Sequence, residues 1–293
     1  NRYLQLPFMC PANTVDVSNT RLSLQDSLSR QEGQKVSQDS GTAHIHVEVD
    51  GAVAIVTMAK PPHNLLDGAF IEDLLQTFEG AAKSGARSIL LKSSMKHFSA
   101  GADVDGFSSE GRDEAAAVDV LDRLATLPIP TVAAVHGLAL GGGFELALAC
   151  DFIIASTSAR LGLVETSIGL MPLLGGVQRV VERAGMARGK EIAMFGRRHD
   201  PELLERWGVI NVVVADEALD EASRSWAQQL AAGPTVAYAS IKKLAVIASN
   251  DGVRAADLAQ EDARQDVWGS EDLQRGLEAF NESGPGTAIF QGS

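Results

Sequence analysis

The stretch IPTVAAVHGLALGGGFELALACDFIIAS, residues 129–156, decides how the rest of the chain is read. Residues 131–140 form an apolar run expected as one buried strand. Gly141-Gly142-Gly143 then makes a turn, residues 144–151 a short apolar helix, and residues 152–156 a second strand. Three glycines without Cβ atoms let a ligand approach the backbone closely. The helix that follows points unpaired N–H groups out of the turn. Such a place suits negative charge that develops during a reaction. A dinucleotide fingerprint is excluded, because Leu146 stands where its third glycine belongs. A P-loop is excluded too, since Gly-Lys-Ser/Thr is absent here and incomplete at residues 185–191. A plain tight turn remains the alternative.

Upstream, HIHVEVDG alternates as a half-buried strand and ends at Asp50-Gly51, with AVAIVTMA as its hairpin partner. Residues 70–85 place Phe70, Leu74, Phe78 and Ala81 on one helical face and stop at Gly85. RSILLKSS is a strand apolar enough to be covered on both sides, and residues 114–127 are helical. Downstream, helices are expected over 175–185 and 188–196, a strand over 208–214, and helices over 217–232, 234–249 and 253–282. Strands alternate with helices to residue 214 and helices follow, which is an α/β chain with a helical tail. Residues 1–43, rich in Ser, Gln, Asn and Asp, are set apart as an N-terminal extension, leaving 44–214 as the core and 215–293 as the helical region.

Two carboxylates stand out. Glu145 lies in the first turn of an apolar helix and Glu165 in ARLGLVETSIGLMP. A carboxylate among apolar residues costs several kcal/mol unless paired or protonated, and such groups often serve as acids or bases. The alternatives are a helix-dipole partner for Glu145 and an exposed loop charge for Glu165. Phe98-Ser99-Ala100-Gly101-Ala102-Asp103 is a second small turn, whose N–H groups converge with Gly142 if their strands are neighbours. His136 is read as a hydrogen-bonded turn histidine, and His44 and His46 as one surface face with no third metal ligand. The G-x-S-x-G elbow of a serine hydrolase is absent.

Composition narrows the partners. Lys and Arg number 25 against 38 Asp and Glu, a formal charge of −13 that repels nucleic acid and anionic membrane. Cys10 and Cys150 form neither a disulfide framework nor a metal motif, and Cys150 is read as core, fitting a reducing, cytoplasmic setting. No apolar run is long enough for a membrane span.

Five segments together resemble the crotonase (enoyl-CoA hydratase/isomerase) superfamily: AKPPHNLLD, FSAGADV, the 129–156 block, LGLVETSIGLMPLLGGVQRV and SEDLQRGLEAF. The resemblance implies a spiral of β-β-α turns with a C-terminal helical oligomerisation region, assembled as a homotrimer or homohexamer. It implies an acyl-CoA substrate and no separate cofactor or metal. It also implies an oxyanion hole made by the N–H groups of Ala100 and Gly142, and two catalytic glutamates, Glu145 and Glu165. His63, Leu65, Ser99, Gly101, Ala102, Asp103, Val104 and Leu173 are implied along the substrate, with Leu170, Met171 and Leu174 as further acyl-pocket candidates. Two glutamates are the pattern of a hydratase. An enoyl-CoA isomerase, or a catalytically weak acyl-thioester-binding protein, is the alternative.

The chain departs from the family pattern in places. Leu173 stands where dienoyl-CoA isomerases and 3-hydroxyisobutyryl-CoA hydrolases carry Asp, which makes both less expected. Val164 replaces a usual Pro, and Glu282-Ser283-Gly284-Pro285 lacks the two basic residues common there. Lys242 and Lys243 are the expected substitutes for that charge, and a carrier-protein thioester is an alternative to coenzyme A.

Overall fold

The computed structural model describes residues 44–103 and 114–293, with side chains from residue 119 in the second segment. The expected extension 1–43 and Val104 lie outside the described residues.

A six-stranded sheet runs in the order β1-β2-β3-β4-β6-β8. Strands β1 (Ile45–Asp50) and β2 (Val53–Met58) form the expected antiparallel hairpin, turning at Gly51 with φ +60°. The others join in parallel: β3 (Ser88–Ser93), β4 (Thr131–Val135), β6 (Phe152–Ser156) and β8 (Val212–Val214). Successive side chains in a strand face opposite ways, so both sheet faces must be covered. Val53, Ile55, Leu90, Val132, Ala134 and Ile154 make one buried face; Ile89, Leu91, Ala133, Val135, Ile153 and Ala155 make the other. That is why these strands are apolar without alternation.

The second face packs on α1 (Gly68–Lys83), α2 (Glu114–Ala125), α3 (Gly142–Ala149) and α4 (Gly176–Phe195). Asp67 caps α1 by accepting from Phe70 N at 2.8 Å, so the helix begins before its first large apolar residue. The first face is covered by α6 (Leu219–Ala231) through Leu219, Trp226, Ala227 and Ala231. The expected boundary at 214/215 therefore falls ahead of a helix that closes the sheet.

The run 131–140 is not one strand. After β4 the chain turns at His136-Gly137, where Gly137 has φ +58°, into β5 (Leu138–Leu140). A Cβ on Gly137 would stand 2.6 Å from Lys96 O. Strand β5 pairs in parallel with β7 (Arg160–Gly162), an element absent from the sequence reading. Isolated bridges join Leu66 to Ala102, Ser99 to Ala139 and Leu161 to His199, which extend this second ladder. Each turn of the spiral thus adds a strand to the large sheet, an extended segment to the small ladder, and a helix. The expected spiral of β-β-α turns is the observed architecture.

The remaining helices are α5 (Pro201–Arg206), α7 (Thr235–Asp251), α8 (Val253–Trp268) and α9 (Glu271–Ser283). The helix expected over 253–282 breaks at Gly269-Ser270, where Ser270 caps α9 by accepting from Leu273 N at 3.2 Å. The two helices expected over 175–196 are contiguous as α4, with non-helical backbone at Gly185 (φ +81°). The last residues fold back: Gln291 N and Gly292 N donate to the buried Asp272 carboxylate at 2.8 and 2.7 Å, and Arg87 Nη1 donates to Phe290 O at 2.9 Å. No helix among the described residues is long and apolar enough to cross a membrane.

Candidate active site

The small ladder carries the site. Asn64, fully buried and left-handed at φ +51°, fastens residues 60–67 to the end of β3. Its Nδ2 donates to Ser93 Oγ at 2.7 Å and to Phe98 O at 2.9 Å, and its Oδ1 accepts from Lys60 N at 2.7 Å. Leu66 then pairs with the 98–103 segment: Leu66 N donates to Gly101 O and Asp103 N donates to Leu66 O, both at 2.9 Å.

That ladder settles which N–H groups are engaged. The Ala100 N–H, expected in an oxyanion hole, donates to His63 O at 3.0 Å. The groups flanking Ala102 face Leu66, so the Ala102 N–H faces the other way. Ala102 N lies 3.7 Å from the point where a Cβ on Gly142 would sit. The Gly142 N–H stands in the first turn of α3, ahead of the intrahelical bonds. The Ala100 N–H is thus taken up by the ladder, and the backbone N of Ala102 lies on the Gly142 side of the segment.

Close packing holds them there. A Cβ on Gly143 would stand 2.6 Å from both Cβ and O of Ser99, so only glycine lets α3 sit against this segment. Ser99, expected at the substrate, is fully buried, and its Oγ donates to Asn64 O at 2.7 Å and accepts from Gly101 N at 3.2 Å. Its side chain is a strut. Gly101 has φ +110° and comes within 2.9 Å of Leu140 O at its Cβ position. Leu66 Cδ1 and Leu174 Cδ1 lie 3.6 and 3.4 Å from the Gly142 Cβ position and form apolar walls. Leu65 and Leu173 are half-buried nearby in sequence, and the exposed His63 ring stacks at 5.4 Å on His97. Asp103 enters through its backbone, paired with Leu66 as above.

The two glutamates differ in their partners. Glu145 is 1% exposed, and its Oε1 accepts from Leu174 N at 2.9 Å and Gly176 N at 2.8 Å. Burial pushes its carboxyl up to about 7; the Gly176 N–H pulls back, the Glu165 charge adds to the rise, and the Leu174 N–H and Arg179 oppose it. Glu165 opens a 3₁₀ turn (Glu165–Ile168), and both its oxygens are buried without a hydrogen-bond partner. Burial raises its pKa as well. Its Oε1 lies 3.1 Å from the Cβ position of Gly141, whose φ is +51°. The sequence spacing of Glu145 and Glu165 therefore ends with both beside the glycine turn.

Lys242, expected to replace lost basic charge, is engaged elsewhere. Its Nζ donates to Ile129 O at 2.9 Å and pairs with Asp151 at 2.6 Å. His136 Nε2 lies 2.8 Å from Met95 O, a turn histidine as read. Cys150 is buried in the core, which pushes its thiol up to about 12. Asn64, Arg179 and Leu66 carry more of the site than the sequence reading gave them, while Leu174 is an apolar wall as expected; the polar Asn64 between the leucines and the tandem prolines of PPHNLL was the available signal.

The model of the family described as enoyl-CoA hydratase/isomerase matches residues 48–287. A probable enoyl-CoA hydratase of Bacillus subtilis (strain 168) is 32% identical over 248 residues, covering 81% of this chain and 95% of that protein. A carnitinyl-CoA dehydratase of Citrobacter koseri is 33% identical over 251 residues, with 81% and 95% covered. Among solved structures, an enoyl-CoA hydratase subunit I from Geobacillus kaustophilus HTA426 superposes with a TM-score of 0.80 at 32% identity, covering 87% of this chain and all of that one.

Proposed function

The chain belongs to the enoyl-CoA hydratase/isomerase family, and from that premise we propose that it adds water across the double bond of 2-enoyl-CoA thioesters. One observation carries the proposal: two buried carboxylates with different hydrogen-bonding sit beside two converging backbone donors. A thioester carbonyl between the N–H groups of Ala102 and Gly142 becomes an electron sink. One such donor is worth roughly 3 kcal/mol as the oxygen gains charge.

Hydration needs one carboxylate to take a proton from water and one carboxylic acid to give a proton to C2. Glu145 fits the base, because two N–H groups favour its ionised form. Glu165 is assigned the acid because its oxygens accept from no other residue; burial raises both carboxyls, so the assignment rests on the hydrogen bonds and not on the order of the two pKa values. Water oxygen bonds to C3, the π electrons move into the enolate, and C2 then takes the proton of Glu165. The pair ends with its protons exchanged and resets through solvent. The coenzyme A thioester is the substrate, not a cofactor.

The test is the loss of enoyl-thioester absorbance with crotonyl-CoA, for wild type beside Glu145→Gln and Glu165→Gln. Both variants are expected to lose at least about 10²-fold in kcat. Intact turnover in both would end the proposal. Loss only in Glu165→Gln, with movement of a 3-enoyl double bond, would make the protein an isomerase.

A further inference from the structure

Glu145 is held by a turn, and the turn is itself held. The two N–H groups on Glu145 Oε1 come from Leu174 and Gly176, the residues on either side of Gly175. The carbonyl oxygens of the same turn point elsewhere: Arg179 Nη1 donates to Leu174 O at 3.2 Å and to Gly175 O at 3.3 Å. Gly175 has φ +87°, and a Cβ there would collide with Arg179 Nη1. A Cβ on Gly176 would stand 2.7 Å from Glu145 Cγ and 2.9 Å from its Oε1. Gly175 is favoured by its left-handed backbone, and Gly176 by the Glu145 and Leu163 side chains packed against it.

We propose that Arg179 is a positioning residue for the acid–base pair: it grips the 174–176 turn by its carbonyls so that the turn's N–H groups hold Glu145. Its role is sequence-local. Arg179 lies one helical turn beyond the Gly175 cap of α4, so its side chain reaches back over the cap. Gly175 O belongs to the same peptide unit as the Gly176 N–H, so a cation on it also strengthens that hydrogen bond to Glu145. The charged groups acting on Glu145 are Glu165, which opposes its ionisation, and Arg179, which favours it. Arg183, the next arginine along α4, serves the far end of α3 through Leu148 O and Cys150 O at 3.3 and 2.7 Å. It does not duplicate Arg179. The inference rests on reading Glu145 as the base on water.

The experiment titrates the protein itself before any substrate. Glutamate is labelled with ¹³C at the carboxyl, and the Glu145 signal is the one that vanishes in Glu145→Gln. Its midpoint is followed in wild type, Arg179→Met and Arg179→Lys. The expected result is an upward displacement in Arg179→Met and a smaller one in Arg179→Lys, with kcat on crotonyl-CoA lower by about tenfold or more in Arg179→Met and KM little changed. An unmoved midpoint in a folded Arg179→Met overturns the inference, even if activity falls. Should Arg179→Met not fold, Arg179→Lys decides by the same midpoint. If the wild type does not turn over crotonyl-CoA, the hydratase proposal fails while the titration still judges Arg179.

Discussion

At the scale of single residues, Asn64 and Glu145 show opposite compromises. Asn64 adopts a left-handed backbone and satisfies three polar groups inside the protein. Asn64→Ala would take the side-chain partner from Lys60 N and Phe98 O and strain the backbone. A stability loss of about 3 kcal/mol is expected in urea unfolding. Glu145 works the other way. Its carboxyl goes from 4.5, the ordinary value, to about 7 on folding. The folded state then holds a proton more tightly than the unfolded one, so the group's contribution becomes less favourable as pH rises from about 4.5 through 7. Glu145→Gln removes that cost. The variant is expected to gain up to about 3 kcal/mol over wild type at pH 8 and almost nothing at pH 4, read from unfolding curves at both pH values. Both glutamates were legible because a charge inside an apolar run is conspicuous. That the Ala100 N–H is taken up by His63 O was not legible, because which N–H a ladder leaves over is a property of pairing, not of composition.

At the scale of elements, the site exists because α3 can touch the 98–103 segment. Gly143→Ala would drive a methyl into Ser99 and push the Gly142 N–H away from that of Ala102. A misplacement of this size is expected to lower kcat by about 10²-fold. The overpacked core would lose about 1–3 kcal/mol. Steady-state kinetics with crotonyl-CoA, set beside a thermal melt, separates the two effects; unchanged kcat would show that the helix tolerates the shift. The strands of the large sheet were readable from apolar runs and, for β1, from alternation. The small ladder was not, since β5 and β7 have three residues each and carry too little periodicity. Gly137, which divides β4 from β5, follows His136 in a stretch otherwise rich in apolar residues. The break between α8 and α9 was marked by Gly269-Ser270, a stop followed by a cap, yet similar polarity on both sides concealed it.

At the scale of the molecule, the C-terminal helices expose what a lone soluble chain would bury. Leu258, Trp268, Leu277 and Phe280 on α8 and α9 are all exposed, as is Ile241 on α7. Exposed large side chains on these helices suit a subunit interface. We propose that copies of the chain associate through it as a trimer or a dimer of trimers. Sedimentation equilibrium should then return three or six times 30.9 kDa. A single-chain mass would refute the assembly, and Trp268→Asp should dissociate it. The general architecture was legible at this scale because one block, residues 129–156, reads as strand, glycine turn, helix and strand in fixed order, although its first strand is in fact β4 and β5. Coverage of the sheet by α6 was not, since the helix's amphipathic face says only that it packs, not where.

The returning C-terminal segment sets an order of events. Arg87 and Phe290 are 203 positions apart, yet their bond closes the chain on itself. Contacts of such long separation form late, after nearer ones have reduced the search. Asp272 must already sit at the start of a formed α9 before it can receive Gln291 and Gly292. On a ribosome, where the chain emerges from its N-terminal side, the sheet, the glycine turn and both glutamates can be assembled while this latch is still unmade. The latch can therefore close after the glycine turn and both glutamates are in place.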